Sequence, residues 1–332
     1  MSDTAKAKQV SHPPVALSVI APIYNEEENI PQFHTELEGV LTSLGQPYEI
    51  IYVNDGSRDR SSDLLAEIAA RAPETVRVIE FRRNFGQTAA LAAGMDYARG
   101  EVVILTDADL QNDPADIPLL LSKIAEGYDV VSGWRRNRKD KFLTRRLPSI
   151  MANGLISWVT GVHLHDYGCT LKAYRREIAS EIRLYGEMHR FIPVYAAAAG
   201  AKIAEVVVNH RPRLHGASKY TVMRTGKVLL DLVTVKFLLS YRLSPMYLFG
   251  GSGLVLIGLG ALTILAGLLN KWLRGASLIR TPLPTLAAMF AMMGVQAILM
   301  GLTTELLVRT YHESAGRPTY VIRRVLNDNT HE

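Results

Sequence analysis

Asp107 and Asp109 stand one residue apart, directly after the apolar stretch Val102–Leu105. Two carboxylates at a strand end can share a hard divalent cation. Mg2+ takes oxygen ligands and prefers one or two carboxylates together with the oxygens of a substrate phosphate. Gln111 and Asn112 offer neutral oxygens just beyond. The competing use of the same residues is a helix cap before Pro114. Other chemistries find little support. No Gly-x-x-x-x-Gly-Lys-Ser/Thr phosphate loop is present. The nearest glycine pattern to a dinucleotide fingerprint, Gly251-Ser252-Gly253, lies inside a long apolar run, where small residues serve helix packing. His163 and His165 have His-x-His spacing but no further ligands, and are expected at the surface. The single cysteine, Cys169, excludes an internal disulfide framework and a four-cysteine zinc site. It is expected as a small buried residue.

The carboxylate pair needs elements to hold it. Ala16–Ile23, Tyr48–Val53, Val76–Phe81, Glu101–Thr106 and Asp129–Ser132 read as strands. Helical periodicity occupies 28–44, 59–71, 86–98 and 114–126, with Asp59 or Ser57 placed to cap the second helix and Pro114 near the start of the fourth. Strands alternating with helices of this length imply an α/β domain with a mostly parallel sheet covered on both faces. Ligands of such sheets bind outside the carboxyl ends of the strands. Asn25-Glu26, Asn54-Asp55, Arg82-Arg83-Asn84 and Asp107–Asp109 are therefore expected on one rim.

The composition of the 332 residues, 48% hydrophobic and 21% charged, excludes a disordered or collagen-like chain. The net charge of +5 is too small to imply nucleic acid, so the placement of charge matters more. Ser244–Asn270 and Thr281–Thr304 carry no charged residue, and each is long enough to cross a bilayer as a helix. The short link Lys271–Arg280 makes them a hairpin with both ends on one side. Lys227, Lys236 and Arg242 before it, with Arg309, Arg317, Arg323 and Arg324 after it, favour the cytoplasm for both ends. Val15–Ile23 is too short for a signal peptide and is interrupted by Pro22, so the N-terminal part is expected to stay cytoplasmic. Two basic segments, Trp134–Arg146 and Arg211–Lys227, lead into the apolar stretches 147–160 and 228–241. They read as amphipathic helices lying on an anionic membrane surface; the plainer reading is a solvated basic face.

Five motifs then occur in order: Pro22-Ile23-Tyr24-Asn25-Glu26, Val53-Asn54-Asp55-Gly56-Ser57, Asn84-Phe85-Gly86-Gln87, Asp107-Ala108-Asp109-Leu110-Gln111, and Arg213-Leu214-His215-Gly216-Ala217-Ser218-Lys219. Together they resemble the family 2 glycosyltransferases that load a sugar onto a polyprenyl phosphate, the dolichol-phosphate mannose synthases and bacterial undecaprenyl-phosphate glycosyltransferases. The likeness covers nearly the whole chain. The segment Asp166–Arg176 is similar to the undecaprenyl-phosphate aminoarabinose transferase branch.

The resemblance implies a GT-A fold, Rossmann-like with a mostly parallel sheet, followed by interface helices and the transmembrane hairpin. The implied organisation is a flexible N-terminus at 1–14, a catalytic domain at 15–218, a juxtamembrane amphipathic helix at 219–243, two spans within 244–308 and a cytoplasmic tail at 309–332. The implied activity is inverting transfer from a nucleotide diphosphate sugar, preferably a UDP-sugar, to undecaprenyl or another polyprenyl phosphate at the bacterial inner membrane, with the catalytic domain on the cytoplasmic face. Pro22, Tyr24, Glu26, Val53 and Asp55 match positions that contact base and ribose. Ala108 matches the diphosphate site; Asp107, Asp109 and Gln111 match the ligands of Mg2+ or Mn2+. Arg135, Arg213 and Lys219 match basic residues at the phosphates. Asp166 is the candidate for positioning sugar or acceptor. Resemblance also points to a homotetramer. Asn54 and Asn112-Asp113 depart from the common pattern without removing a matched ligand. The rivals are a processive polysaccharide synthase, which carries a Gln-x-x-Arg-Trp motif missing here, and a non-catalytic membrane scaffold of the same fold.

Overall fold

The computed structural model describes residues 15–136, 147–182, 188–212, 245–274, 281–314 and 320–328. Arg213, Lys219, the basic run 137–146, the expected helix at 219–243 and most of the hairpin link lie outside the described residues. The described chain divides into two compact units, residues 1–232 with 318–332, and residues 233–317.

The first unit is built on eight strands: β1 (Leu17–Ile23), β2 (Tyr48–Asn54), β3 (Val76–Phe81), β4 (Val102–Leu105), β5 (Val130–Trp134), β6 (Lys172–Arg175), β7 (Ile203–Val207) and β8 (Ile322–Leu326). Their order in the sheet is β7-β5-β6-β4-β1-β2-β3-β8. The pairs β1–β2, β1–β4, β2–β3 and β5–β7 are parallel, whereas β6 runs antiparallel to both β4 and β5. The central strands are near-continuous apolar runs because both faces are covered. Along β1, Leu17, Val19, Ala21 and Ile23 enter one core and Ile20 the other, the two-residue period of a strand.

Helices α1 (Ile30–Ser43), α2 (Ser61–Arg71) and α4 (Ile117–Ala125) cover the first face. In α1 the buried residues are Ile30, Phe33, Leu37 and Leu41, one stripe of a 3.6-residue period. Each such side chain stabilises by roughly 1.5–3 kcal/mol when removed from water. The other face is covered by α3 (Gln87–Tyr97), α6 (Arg176–Glu181) and α7 (Ile192–Ala198). Helix α3 is rich in alanine and packs close: a Cβ on Gly94 would overlap the Ile20 side chain. Helix α5 (Leu147–Thr160) follows the basic run and leaves Ile150, Leu155 and Trp158 exposed.

Two expectations change. Helix α2 starts at Ser61, not at Asp59, and neither Ser57 nor Asp59 is its cap residue. Ser57 Oγ accepts across the loops from Asn25 N at 3.0 Å, while Asp59 accepts from Glu27 N at 3.1 Å through Oδ2 and, through Oδ1, from the first amide of the helix, Ser61 N, at 3.0 Å. The C-terminal segment is not a tail outside the catalytic domain. Residues 322–326 form edge strand β8, antiparallel to β3. Arg324 forks onto Glu80, Nε to Oε2 at 2.7 Å and Nη2 to Oε1 at 3.0 Å. Burial alone would raise the Glu80 carboxyl, yet hydrogen bonds from Arg324 and Ser62 hold it below its ordinary value. The Tyr320 ring stacks on Phe81 at 5.1 Å, and its hydroxyl donates to Asp96 Oδ2 at 2.8 Å. Charged residues on an edge strand look like a solvated tail when read without their partners.

The second unit is a helix pair, α8 (Pro245–Arg274) and α9 (Leu283–Ser314). Phe249–Leu273 and Leu283–Thr304 are long and apolar enough to cross a membrane, and Leu254, Leu262, Met292 and Leu299 along them are exposed. The two helices touch backbone to backbone. A Cβ on Gly253 would stand 2.7 Å from Gly294 O, and one on Gly294 would stand 2.7 Å from Gly253 O. Such small-residue contacts favour helix packing in lipid.

Tyr320→Ala is expected to lower the stability of the first unit by about 3 kcal/mol, the loss typical of a buried aromatic. Val321, 50% exposed, should change it by no more than about 0.5 kcal/mol when replaced by alanine. Urea denaturation of the full-length chain in detergent checks both, and equal effects would detach Tyr320 from the core.

Candidate active site

The loops after β1, β2, β3 and β4 are bonded to one another at the carboxyl end of the sheet. Asn25 takes a left-handed backbone, φ 54°, and its Oδ1 accepts from Arg58 N at 2.8 Å. Glu26 N donates to Ser61 Oγ at 3.0 Å, and Glu26 Oε2 accepts from Asn29 Nδ2 at 2.6 Å. Asp55 is buried and uses both carboxylate oxygens on the next loop, accepting from Phe85 N at 2.6 Å and Gly86 N at 2.9 Å. Burial raises its carboxyl, while those two amides and the charge of Arg83 oppose the shift. Gly56 makes this approach possible. Its φ is +66°, and a Cβ there would lie 2.5 Å from the carbonyl carbon of Arg83.

The end of β4 carries the carboxylate pair. Leu110 is fully buried at φ 62°, a conformation that costs an ordinary residue about 1 kcal/mol. That turn lets Asp109 Oδ1 accept from Gln111 N at 3.2 Å. Asp107 Oδ1 accepts from Gln87 Nε2 at 2.7 Å, and Oδ2 from Thr170 Oγ1 at 2.7 Å. Burial, and then the charge of Asp109, push Asp107 up to about 6. A buried carboxylate with a second one beside it is a hard-oxygen set whose charge a divalent cation relieves. Among the described residues no group of three or more His, Cys, Asp or Glu side chains gathers for a metal. A cation here would need oxygens from a neutral residue or from its substrate.

Arg135 and Asp166 form a bidentate pair, Nε to Oδ2 at 2.7 Å and Nη2 to Oδ1 at 3.0 Å. The carboxylate also accepts from Gly168 N at 3.1 Å. Both side chains are largely buried, 13% and 5% exposed. Asp166, singled out for sugar or acceptor, thus bears on Arg135. Lys172 is buried beside them and donates to the carbonyls of Tyr167 and Cys169. Burial lowers its ammonium, countered in part by Cys169, Asp166 and Asp107.

The rim therefore brings together Asp55, Asp107, Asp109, Arg135 and Asp166, with Pro22 half-buried near the end of β1 and Tyr24, Glu26 and Gln111 half-buried on the loops. Val53 and Ala108 are fully packed in the two cores, so their side chains serve the scaffold. Cys169 is buried, as its type suggested. His163 is exposed; His165 is exposed, stacks on Trp134 at 4.1 Å and bonds Glu205 at 2.8 Å. Arg211, read as part of a membrane-facing basic run, instead pairs with Glu36 at 2.6 Å and Asp113 at 2.7 Å. Its backbone N donates to Gln111 O at 2.9 Å. Gln87, Thr170 and Lys172 carry site contacts to which no role had been given. A lysine inside Leu171-Lys172-Ala173-Tyr174 was the available signal, since a charge in an apolar strand needs a buried partner.

Asp166→Leu should cost about 3 kcal/mol of stability, because it leaves the Arg135 guanidinium buried without its carboxylate. Adding Arg135→Met should recover most of that loss, read as the melting temperature of each variant. A double variant no more stable than Asp166→Leu would show that the pair is not what the site depends on.

The model of glycosyl transferase family 2 matches residues 18–183. Dodecaprenyl-phosphate galacturonate synthase of Rhizobium johnstonii is 40% identical over 320 residues, 95% of this chain and 94% of that protein. Undecaprenyl-phosphate 4-deoxy-4-formamido-L-arabinose transferase of Pseudomonas paraeruginosa is 42% identical over 311 residues, 93% of this chain and 90% of that protein. Among solved structures, mannosyl-3-phosphoglycerate synthase of Rubrobacter xylanophilus aligns with a TM-score of 0.51 at 16% identity, covering 67% of this chain and 74% of that one. That likeness concerns the fold, the GT-A arrangement of a mostly parallel sheet between helical layers. With the family model and near-full-length relatives in agreement, the chain belongs to glycosyl transferase family 2 and is a glycosyltransferase.

Proposed function

We propose that this protein transfers a sugar from a nucleotide diphosphate sugar, a UDP-sugar by preference, to the phosphate of undecaprenol or a related polyprenol, with inversion at the anomeric carbon. The product would serve cell-envelope glycan or lipid modification. The observation that carries this reading is 40% identity across 95% of the chain to a polyprenyl-phosphate sugar transferase, a span that includes both apolar helices.

Asp107, Asp109 and Gln111 would hold Mg2+ or Mn2+ against the diphosphate. When bound, such a cation acts as a Lewis acid and neutralises charge on the departing nucleoside diphosphate. Pro22, Tyr24, Glu26 and Asp55 shape the nucleoside end; Val53 contributes there, and Ala108 at the diphosphate, through backbone. Arg135, held by Asp166, presents a fixed cation to the phosphates. Arg213 and Lys219 add donors as charge grows on the leaving group. The acceptor is a phosphate monoester whose second pKa lies near ~6, so it is largely ionised at neutral pH and needs no strong base. That agrees with a site of arginines and carboxylates.

Chain connectivity supports the membrane topology. Residues on both sides of the helix pair belong to one globular unit, because β8 joins its sheet. Two spans between them would open on the side where that unit lies, and flanking Lys and Arg favour the cytoplasmic face of a bacterial inner membrane. The exposed Ile150, Leu155 and Trp158 of α5 would lie in the interface. A homotetramer is the proposed assembly.

Incubating the full-length protein with a panel of UDP- and GDP-sugars and a short-chain polyprenyl phosphate tests the reaction by mass spectrometry. A lipid-linked sugar and free nucleoside diphosphate are expected, with at least a ~100-fold loss in Asp109→Ala. Full activity in excess chelator would remove the cation; no product from any donor would overturn the transfer. Topology is checked in sealed cells. Gly275→Cys should react with an impermeant thiol reagent from outside, while Ser2→Cys and Thr330→Cys stay protected. The reverse pattern would refute the orientation.

A further inference from the structure

Asp107 is held differently from its neighbour Asp109. Both of its oxygens receive neutral donors from segments far away in sequence. Gln87, the first residue of α3, supplies an amide N–H to Oδ1 at 2.7 Å. Thr170, in the loop before β6, supplies its hydroxyl to Oδ2 at 2.7 Å. The hydroxyl has no freedom of direction. Asn112 Nδ2 donates to Thr170 Oγ1 at 2.8 Å, so the oxygen is the acceptor there and its single proton goes to Asp107. Gln87 is also fixed from behind, because Asp55 holds the amides of Phe85 and Gly86 just before it.

The charge of these partners matters as much as their geometry. Arg135 is committed to Asp166, and Lys172 to the carbonyls of Tyr167 and Cys169. Amide and hydroxyl donors orient a carboxylate without cancelling its charge, and Arg135 and Lys172 act on Asp107 through their charges rather than through a bond to it. We infer that Gln87 and Thr170 are positioning residues for this site. They lock the Asp107 carboxylate in one orientation so that a divalent cation and the diphosphate it accompanies find the oxygens already placed. This rests on the proposed reading of the site as one that takes a nucleotide diphosphate with a divalent cation. Outer partners of ligating carboxylates typically change metal affinity by ~10–100-fold when removed. The motifs Asn84–Gln87 and Gly168–Thr170 thereby gain a shared role: each delivers one donor to the same carboxylate.

Binding of Mn2+ in the presence of UDP, followed by electron paramagnetic resonance on the full-length protein in detergent, tests the inference without relying on turnover. Thr170→Val and Gln87→Met should each weaken Mn2+ affinity by ~10–100-fold. Thr170→Ser keeps the hydroxyl and should stay within about 3-fold of the parent, which a purely structural role for the threonine methyl would not give. Melting temperatures are measured on the same samples. If Thr170→Val has no melting transition, Gln87→Met carries the test from the other oxygen. Parental Mn2+ affinity in the folded variants would overturn the inference while leaving the proposed site standing. A parent protein that binds no Mn2+ with UDP would overturn the site reading and this inference with it.

Discussion

Two like charges at the end of one short strand are the constraint on which the site depends. Asp107 sits where desolvation already disfavours ionisation, and the charge of Asp109 makes it harder still to ionise. The protein surrounds Asp107 with an amide and a hydroxyl, and the described cations that act on it, Arg135 and Lys172, bond to Asp166 and to backbone carbonyls. A bound divalent ion would then complete the electrostatics of the rim. Most nearby buried contacts follow from this: Thr170 must be aimed by Asn112, Arg135 must be occupied by Asp166, and Lys172 must find carbonyls.

Holding such an arrangement requires loops that do not drift. The structure joins them through side chains acting on backbone amides, Asp55 on Phe85 and Gly86, Asn25 on Arg58, Asp59 on Glu27. These bonds satisfy backbone donors that leave the sheet at strand ends and would otherwise need water. Left-handed residues Asn25 and Leu110 lie in the loops that follow β1 and β4. Strained backbone at such places persists because the surroundings over-determine it.

The α/β alternation, the rim and the carboxylate pair were legible in the sequence because each rests on local pattern: apolar runs, a 3.6-residue stripe such as Ile30–Leu41, and acids following a strand. The apolar runs that became α8 and α9 were legible from length alone. What escaped depends on contacts between distant segments. Gln87 and Thr170 reach Asp107 across 20 and 63 residues, and no periodicity reports that. Asp166 had the right type and place for a substrate contact, but only tertiary packing reveals that its oxygens are committed to Arg135. Val53 and Ala108 fell within matched motifs, yet their side chains belong to the cores.

Strand β8 was the largest departure, and it changes how the molecule holds together. Five residues with two adjacent arginines have too weak an alternation to announce a strand, and Glu80, which pairs with Arg324, lies 244 residues away. Once formed, the strand covers the outer edge of β3, which would otherwise present unpaired backbone groups. It also connects to the rim. Tyr320 stacks on Phe81, Phe81 meets Phe85 edge-on at 5.6 Å, and Phe85 precedes Gly86-Gln87, whose amide reaches Asp107. The segment following α9 is thus in van der Waals continuity with the loop that orients the carboxylate. Because the chain enters and leaves the helix pair from one globular unit, the sheet itself ties the two ends of that pair together.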